Sequence, residues 1–172
     1  PALPAGVTAP ADADFGDFAA SGMGAETDTW LAENANLVNH LAVSGTADAP
    51  IVFENTLDAA HPHALTCLTI DAAEGSSLTV VQVVRGDAED GVSANLTRIR
   101  AAENAHVTLV QVQLLGSHAR RWNAVAIEEA KSAKVEQVRI ELGGALSACG
   151  AKAQLAAAKS EYDLDAIYFG SG

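Results

Sequence analysis

The sequence predicts an all-β chain built as a parallel β-helix, a solenoid of coils about 28 residues long. Three observations predict it. Four stretches resemble one another and open at Ile70, Ile99, Ile127 and Leu155, at spacings of 29, 28 and 28 residues. Within a stretch, apolar residues alternate with period two, as in Val110, Val112 and Leu114 or Val138, Ile140 and Leu142, which is strand and not helix spacing. Like residues also recur at equal offsets from the anchors: Ala73, Ala102, Ala130 and Ala158, then Val81, Val110, Val138 and Ala166, then Val83, Val112, Ile140 and Tyr168. Strands repeating in register at such a period are expected to lie one above the next.

Residues 1–40 read as a loosely structured arm, partly irregular or helical. Pro1, Pro4, Pro10 and several glycines interrupt any period there, and a short helical piece is expected near Asp14–Ala20. Trp30–His40 has no clear period. The solenoid core is expected over 41–172, with Leu41 opening a weaker copy of the repeat. The aliphatic columns are expected to point inward and the alanine column to line a tight corner. The column of Gln82, Gln111, Arg139 and Ile167 is expected to face outward. Asp71, Arg100 and Glu128, one place after successive anchors, alternate in sign and form an exposed ladder. A leucine-rich repeat shares the period but lacks its L-x-x-L-x-L pattern, and helical repeats conflict with Val107–Leu115. A β-sandwich stays the alternative architecture.

Composition bounds the function. The chain of 172 residues has a net charge of −12, which argues against nucleic acid and against an anionic membrane surface. All eleven acids of residues 1–84 stand without a Lys or Arg, whereas residues 85–172 carry eleven acids and ten bases. No apolar run reaches the roughly 20 residues of a spanning helix, and no signal segment is evident at the start. With only two cysteines, a cytoplasmic location is expected. Cys67 and Cys149 fall three coils apart, about 14 Å at the strand spacing, too far to bridge. Two free thiols are expected.

Few residues carry candidate chemistry. His61 and His63 flank a proline and are candidates to begin a metal site, with Asp58 or Cys67 the nearest further donors. His106 and His118 read as surface histidines. Cys67, in an apolar run, reads as a buried structural thiol. Cys149, among small residues, is the more accessible thiol and a candidate ligand. No Walker loop, nucleophile elbow or H-E-x-x-H pattern is present, so no catalytic residue is assigned.

The stretches IRAAENAHVTLVQVQLLG, RRWNAVAIEEAKSAKVEQVRIELGG and YDLDAIYFGSG, with APIVFEN and the His-Pro segment after it, resemble the SufB/SufD family over about residues 40–172. These are scaffold subunits of SUF iron–sulfur cluster assembly. The resemblance implies a right-handed parallel β-helix core, and pairing with a SufB/SufD-like partner through that core. It also implies a SufC-like ABC ATPase bound through a C-terminal helical region, and an iron–sulfur cluster in the assembled complex. Family residues linked to cluster chemistry lie in a later region, so none is carried onto this chain, which is expected to be a fragment or a short homologue. Aromatic and aliphatic residues of the last coil, Tyr162, Ile167, Tyr168 and Phe169, lead to an expected homodimer or edge-to-edge association. A carbohydrate-active β-helix enzyme and a purely structural solenoid are the alternative functions.

Overall fold

The structure, a computed structural model, describes residues 6–9 and 38–170. The strands are β1 (Val7–Thr8), β2 (Val38–Gly45), β3 (Ile51–Leu57), β4 (His63–Ala72), β5 (Ser77–Gly86) and β6 (Val92–Ala101). They continue with β7 (His106–Leu115), β8 (Arg120–Glu129), β9 (Lys134–Leu142), β10 (Leu146–Leu155) and β11 (Glu161–Phe169). The described residues contain no helix.

Even-numbered strands form one parallel sheet in the order β2-β4-β6-β8-β10, with β1 antiparallel at its end. Odd-numbered strands form a second, β3-β5-β7-β9-β11. Each coil contributes one strand to each sheet, giving five coils. The chain is therefore a β-solenoid, as the repeat predicts. Val43, Ile70, Ile99 and Ile127 stack as one file and are essentially inaccessible to solvent. Each such side chain contributes roughly 1.5–3 kcal/mol by burial.

The corner after each even strand reuses one backbone device. Gly75, Asn104, Ser132 and Lys159 all have φ between 57° and 65°. They hydrogen-bond in sequence from coil to coil: Gly75 N–H to Glu103 C=O, Asn104 N–H to Lys131 C=O, and Ser132 N–H to Ala158 C=O. This left-handed residue closes the turn.

Several positions depart from the expected columns. Val43 occupies the anchor file in place of Leu41. In the last coil Ile127 lies under Ala153, and Leu155 falls opposite Glu129. That coil is shorter, so Lys159 occupies the left-handed corner position and Ala158 the place above Lys131. Asp165 and Ile167 take the columns expected for Ala166 and Tyr168. β2 begins at Val38. The expected helix near Asp14–Ala20 lies outside the described residues.

The largest correction concerns which column faces in. On β7 the buried residues are Val107, Leu109, Gln111, Gln113 and Leu115, while Val110, Val112 and Leu114 look outward. β9 behaves alike, burying Val135, Gln137, Arg139 and Glu141. The glutamine column therefore lies inside and the aliphatic columns outside. Amides can stack because each carries two donors and an acceptor with two lone pairs. Gln111 uses all of them: it donates to Gln82 at 2.7 Å and to Asn123 at 3.0 Å, and accepts from Asn123 at 3.0 Å and Gln137 at 2.8 Å. Asn95 extends the ladder downward, donating to Asn123 at 2.8 Å, and Tyr162 caps it above, donating to Gln137 at 2.6 Å.

The outward charge ladder is present as expected. Arg100 lies 3.5 Å from Asp71 and 3.7 Å from Glu128, and each such exposed pair is worth about 0.2–1 kcal/mol. Part of the outer face of the first sheet is buried as well. Its outer face carries Val38, Leu65, Cys67, Ala94, Leu96 and Ala124, with Val92 and Trp122 packed against them.

Glu129, at the inner end of β8, is 1% exposed, and neither carboxyl oxygen has a hydrogen-bond partner. Burial pushes its pKa up to about 7 against the opposing pull of the Glu161 backbone N–H, with the charges of Asp163 and Glu161 adding repulsion. In the unfolded chain it titrates near 4.5, so the contribution of this group to stability is greatest below that pH. It falls as pH rises through about 7, by on the order of 2–3 kcal/mol in total. Glu129→Gln is expected to flatten the urea-denaturation midpoint against pH over this window.

Gln111→Leu strands three buried partners and is expected to cost about 2–4 kcal/mol. Val110→Thr, on the outer face of the same strand, is expected to cost less than about 1 kcal/mol. Equal losses in urea titrations of the two variants would invert the assignment of inside and outside.

Candidate functional site

Along the solenoid axis the interior becomes more polar up to β8 and β9. In one file Thr66, Asn95, Asn123 and Cys149 follow one another. In a second, Phe53, Gln82, Gln111 and Arg139 do so, and in a third, Ala64, Ser93, Arg121 and Ser147. The charged and thiol members meet in the last two coils.

Glu141 is the hub of this cluster and is 3% exposed. Its Oε2 accepts from Ser147 Oγ at 2.8 Å and its Oε1 from Cys149 Sγ at 3.5 Å. Arg121 Nη1 lies 3.6 Å from the same Oε1, and both side chains are 2% exposed. Arg139 lies with its guanidinium carbon 5.9 Å from the centre of the Tyr168 ring, a cation–π distance. Nε and Nη1 of both arginines are buried without a hydrogen-bond partner. Two guanidiniums against one carboxylate leave the cluster with one excess positive charge while Cys149 is a neutral thiol.

Alternation places these residues. Arg121 and Asn123 continue the inward parity of Val125 and Ile127 on β8, and Arg139 and Glu141 continue that of Val135 and Gln137 on β9. The chain crosses between the sheets at Gly143 and Gly144, with φ of +86° and +85°. A Cβ at Gly143 would collide with the carbonyl oxygen of Leu115, so the turn that delivers β10 requires glycine there.

Burial pushes the Cys149 thiol above its usual pKa and Glu141 adds to this, while Ser147 and Arg139 oppose it. Cys67 is pushed up to about 11 by burial alone. Both cysteines are free, as expected. β6 and β8 separate their strands, and Cys67 faces outward into its apolar cluster while Cys149 faces the interior.

His61 and His63 are not brought into a site. His61 stays in the exposed β3–β4 loop with Nδ1 3.2 Å from Asp58, whose Oδ1 also accepts the backbone N–H groups of Ala60 and His61. His63 opens β4 and is exposed. Among the described residues no group of three His, Cys, Asp or Glu side chains is placed to hold a metal ion. His106 pairs with Glu136 and His118 with Asp87, both at the surface. Sequence reasoning singled out Cys149 but missed Arg121, Arg139, Glu141 and Ser147. The signal was there, because Gln137-x-Arg139-x-Glu141 has the same period of two as the aliphatics interleaved with it.

Residues 54–172 match the model of the SufBD core domain, described as SUF system FeS cluster assembly. The chain belongs to the SufB/SufD family. No curated protein and no solved structure matches it. For this SufB/SufD-family chain the match spans the solenoid from β3 onward, so the Cys149 cluster lies within the family's core domain. Its role is accordingly in SUF iron–sulfur cluster assembly. No helix among the described residues is long and apolar enough to cross a membrane.

Because both thiols are held protonated near neutrality, their alkylation is expected to rise about tenfold per pH unit up to the thiol pKa. In the folded protein iodoacetamide is expected to label Cys149, which is partly accessible, well before Cys67, which is buried. Mass spectrometry of the labelled peptides checks the order.

Proposed function

We propose that the chain is a non-catalytic, cytoplasmic scaffold of SUF assembly that acts through protein contacts and presents one thiol, Cys149, to the sulfur or cluster being built. The observation that carries this reading is the Cys149 cluster on β8, β9 and β10. The thiol points into the interior, beside a buried arginine–glutamate pair and a second buried arginine. Iron–sulfur chemistry works with thiolates and anionic sulfur. The excess guanidinium charge favours an anionic sulfur at Cys149 once the proton has left.

One thiol is one ligand, and such clusters take four. Among the described residues no three-donor group surrounds it, and on this reading the remaining ligands are supplied in the assembled complex. That requirement fits a SufB/SufD-like partner and a SufC-like ATPase better than a free-standing catalyst.

Anaerobic reconstitution with ferrous iron and sulfide, in the presence of the partner subunit, tests this. Visible iron–sulfur absorbance is expected for the parent and for Cys67→Ser, with most of it lost in Cys149→Ser. Undiminished absorbance in Cys149→Ser would remove the thiol from the mechanism.

A further inference from the structure

Between the two sheets, on the β3–β6 side of Arg121, lies a small interior cavity. Asn55, Thr66, Gln82, Ser93 and Arg121 are among the residues that line it. The space open to the centre of a water-sized sphere is about 20 Å³, room for one particle of that size. Its wall is rich in donors. Thr66 Oγ1 accepts from Asn55 Nδ2 at 3.3 Å, which leaves the threonine O–H to be donated. Gln82 Nε2 gives one hydrogen to Asn95 at 3.1 Å and has a second. Ser93 adds another hydroxyl. Arg121 is 2% exposed, and its Nε and Nη1 have no hydrogen-bond partner. No carboxylate is among the lining residues.

The positive charge of this wall is not balanced within the chain. Glu141 lies 3.6 Å from Arg121, and the second buried guanidinium, Arg139, lies over the Tyr168 ring. One carboxylate thus serves two cations, and an uncompensated charge is strongly unfavourable in an interior. We infer that the cavity binds one monovalent anion of about the size of chloride, held by Arg121 and by the hydroxyls of Ser93 and Thr66. Water fits the space but leaves the charge. A metal cation meets no carboxylate there, and phosphate or sulfate exceeds the volume. The net charge of −12 discourages anions elsewhere, but none of those carboxylates faces this wall. Asn55 and Phe53 on β3 are only half-buried, which lets the ion exchange with solvent.

The ion acts on Cys149. Arg121 Nη1 and Cys149 Sγ face the same oxygen, Glu141 Oε1, at 3.6 and 3.5 Å. Anion and thiolate therefore compete for one guanidinium, and by linkage each weakens the other. Arg139 and Tyr168 also face the thiol, but neither lines the cavity. Bound chloride keeps the thiol protonated, and its departure makes the thiol more reactive. This regulation rests on Cys149 being the working group of the chain, whereas the binding site does not.

Thermal melts and iodoacetamide kinetics, in sodium chloride and in sodium gluconate at equal ionic strength, test the inference. Chloride is expected to raise the melting temperature saturably and to slow alkylation of Cys149 by about fivefold. Gluconate, too large for the cavity, is expected to do neither. Ser93→Ala, which keeps every charge, is expected to raise the chloride concentration at half-effect about tenfold. Arg121→Gln is expected to abolish both effects, and should it not fold, Ser93→Ala decides. Crystals soaked in sodium bromide are expected to show anomalous signal beside Arg121 and Ser93. Equal responses to the two salts, a Ser93→Ala midpoint like that of the parent, or water in the cavity of the bromide crystals overturns the site. Stabilisation by chloride with an unchanged alkylation rate overturns the regulation alone. None of these measurements uses iron or sulfide, so the iron–sulfur reading stands or falls separately.

Discussion

The constraint from which the rest follows is that every strand residue lies directly against its counterpart in the coil above and the coil below. Parallel pairing in register makes each column of side chains a continuous file about 4.8 Å apart. A file is stable only if its members tolerate their own kind. Aliphatic side chains do so by excluding water, and carboxamides by donating to and accepting from one another. Like charges do not. The exposed Asp71, Arg100 and Glu128 therefore alternate in sign, and inside the solenoid charge enters only in the last coils.

The position of the functional cluster follows from this. In each polar file a neutral residue in the early coils gives way to a charged or reactive one on β8, β9 or β10: Ser93 to Arg121, Gln111 to Arg139, Asn123 to Cys149. Charge neutralisation between unlike files then substitutes for like-with-like stacking, with Glu141 between Arg121 and the thiol. The unpartnered guanidinium nitrogens mark where the interior has given up full satisfaction. A fully satisfied amide ladder lies immediately below them and holds the strands that carry them in register.

The same alternation divides the outer surface. A strand that buries amides on one side must place its intervening residues on the other, and on β5, β7 and β9 those are valine, isoleucine and leucine. β-Branched residues suit a pleated sheet whichever side they face. Over the C-terminal halves of these strands the outcome is a polar interior and an apolar outer face, the reverse of the usual arrangement of a half-buried strand.

The architecture was legible from the sequence because repetition is one-dimensional: Ile70, Ile99 and Ile127 at near-constant spacing determine strand stacking without knowledge of any distant contact. The two free thiols followed from the same periodicity, and the kinship was legible as a resemblance of the repeated stretches. Two things were decided only by the tertiary structure. One was the fine register of the last coil, where a shorter repeat puts Ala153 and not Leu155 above Ile127, because corner geometry and not side-chain likeness sets how much chain a coil consumes. The other was the sense of inside and outside. A period of two identifies two faces but not which of them is buried, and on β7 the apolar parity changes from Val107 and Leu109 to Val110, Val112 and Leu114. Only the hydrogen bonds between Gln82, Gln111, Asn123 and Gln137, drawn from both sheets, make the amide side the interior. They bring Arg121, Arg139 and Glu141 in with it.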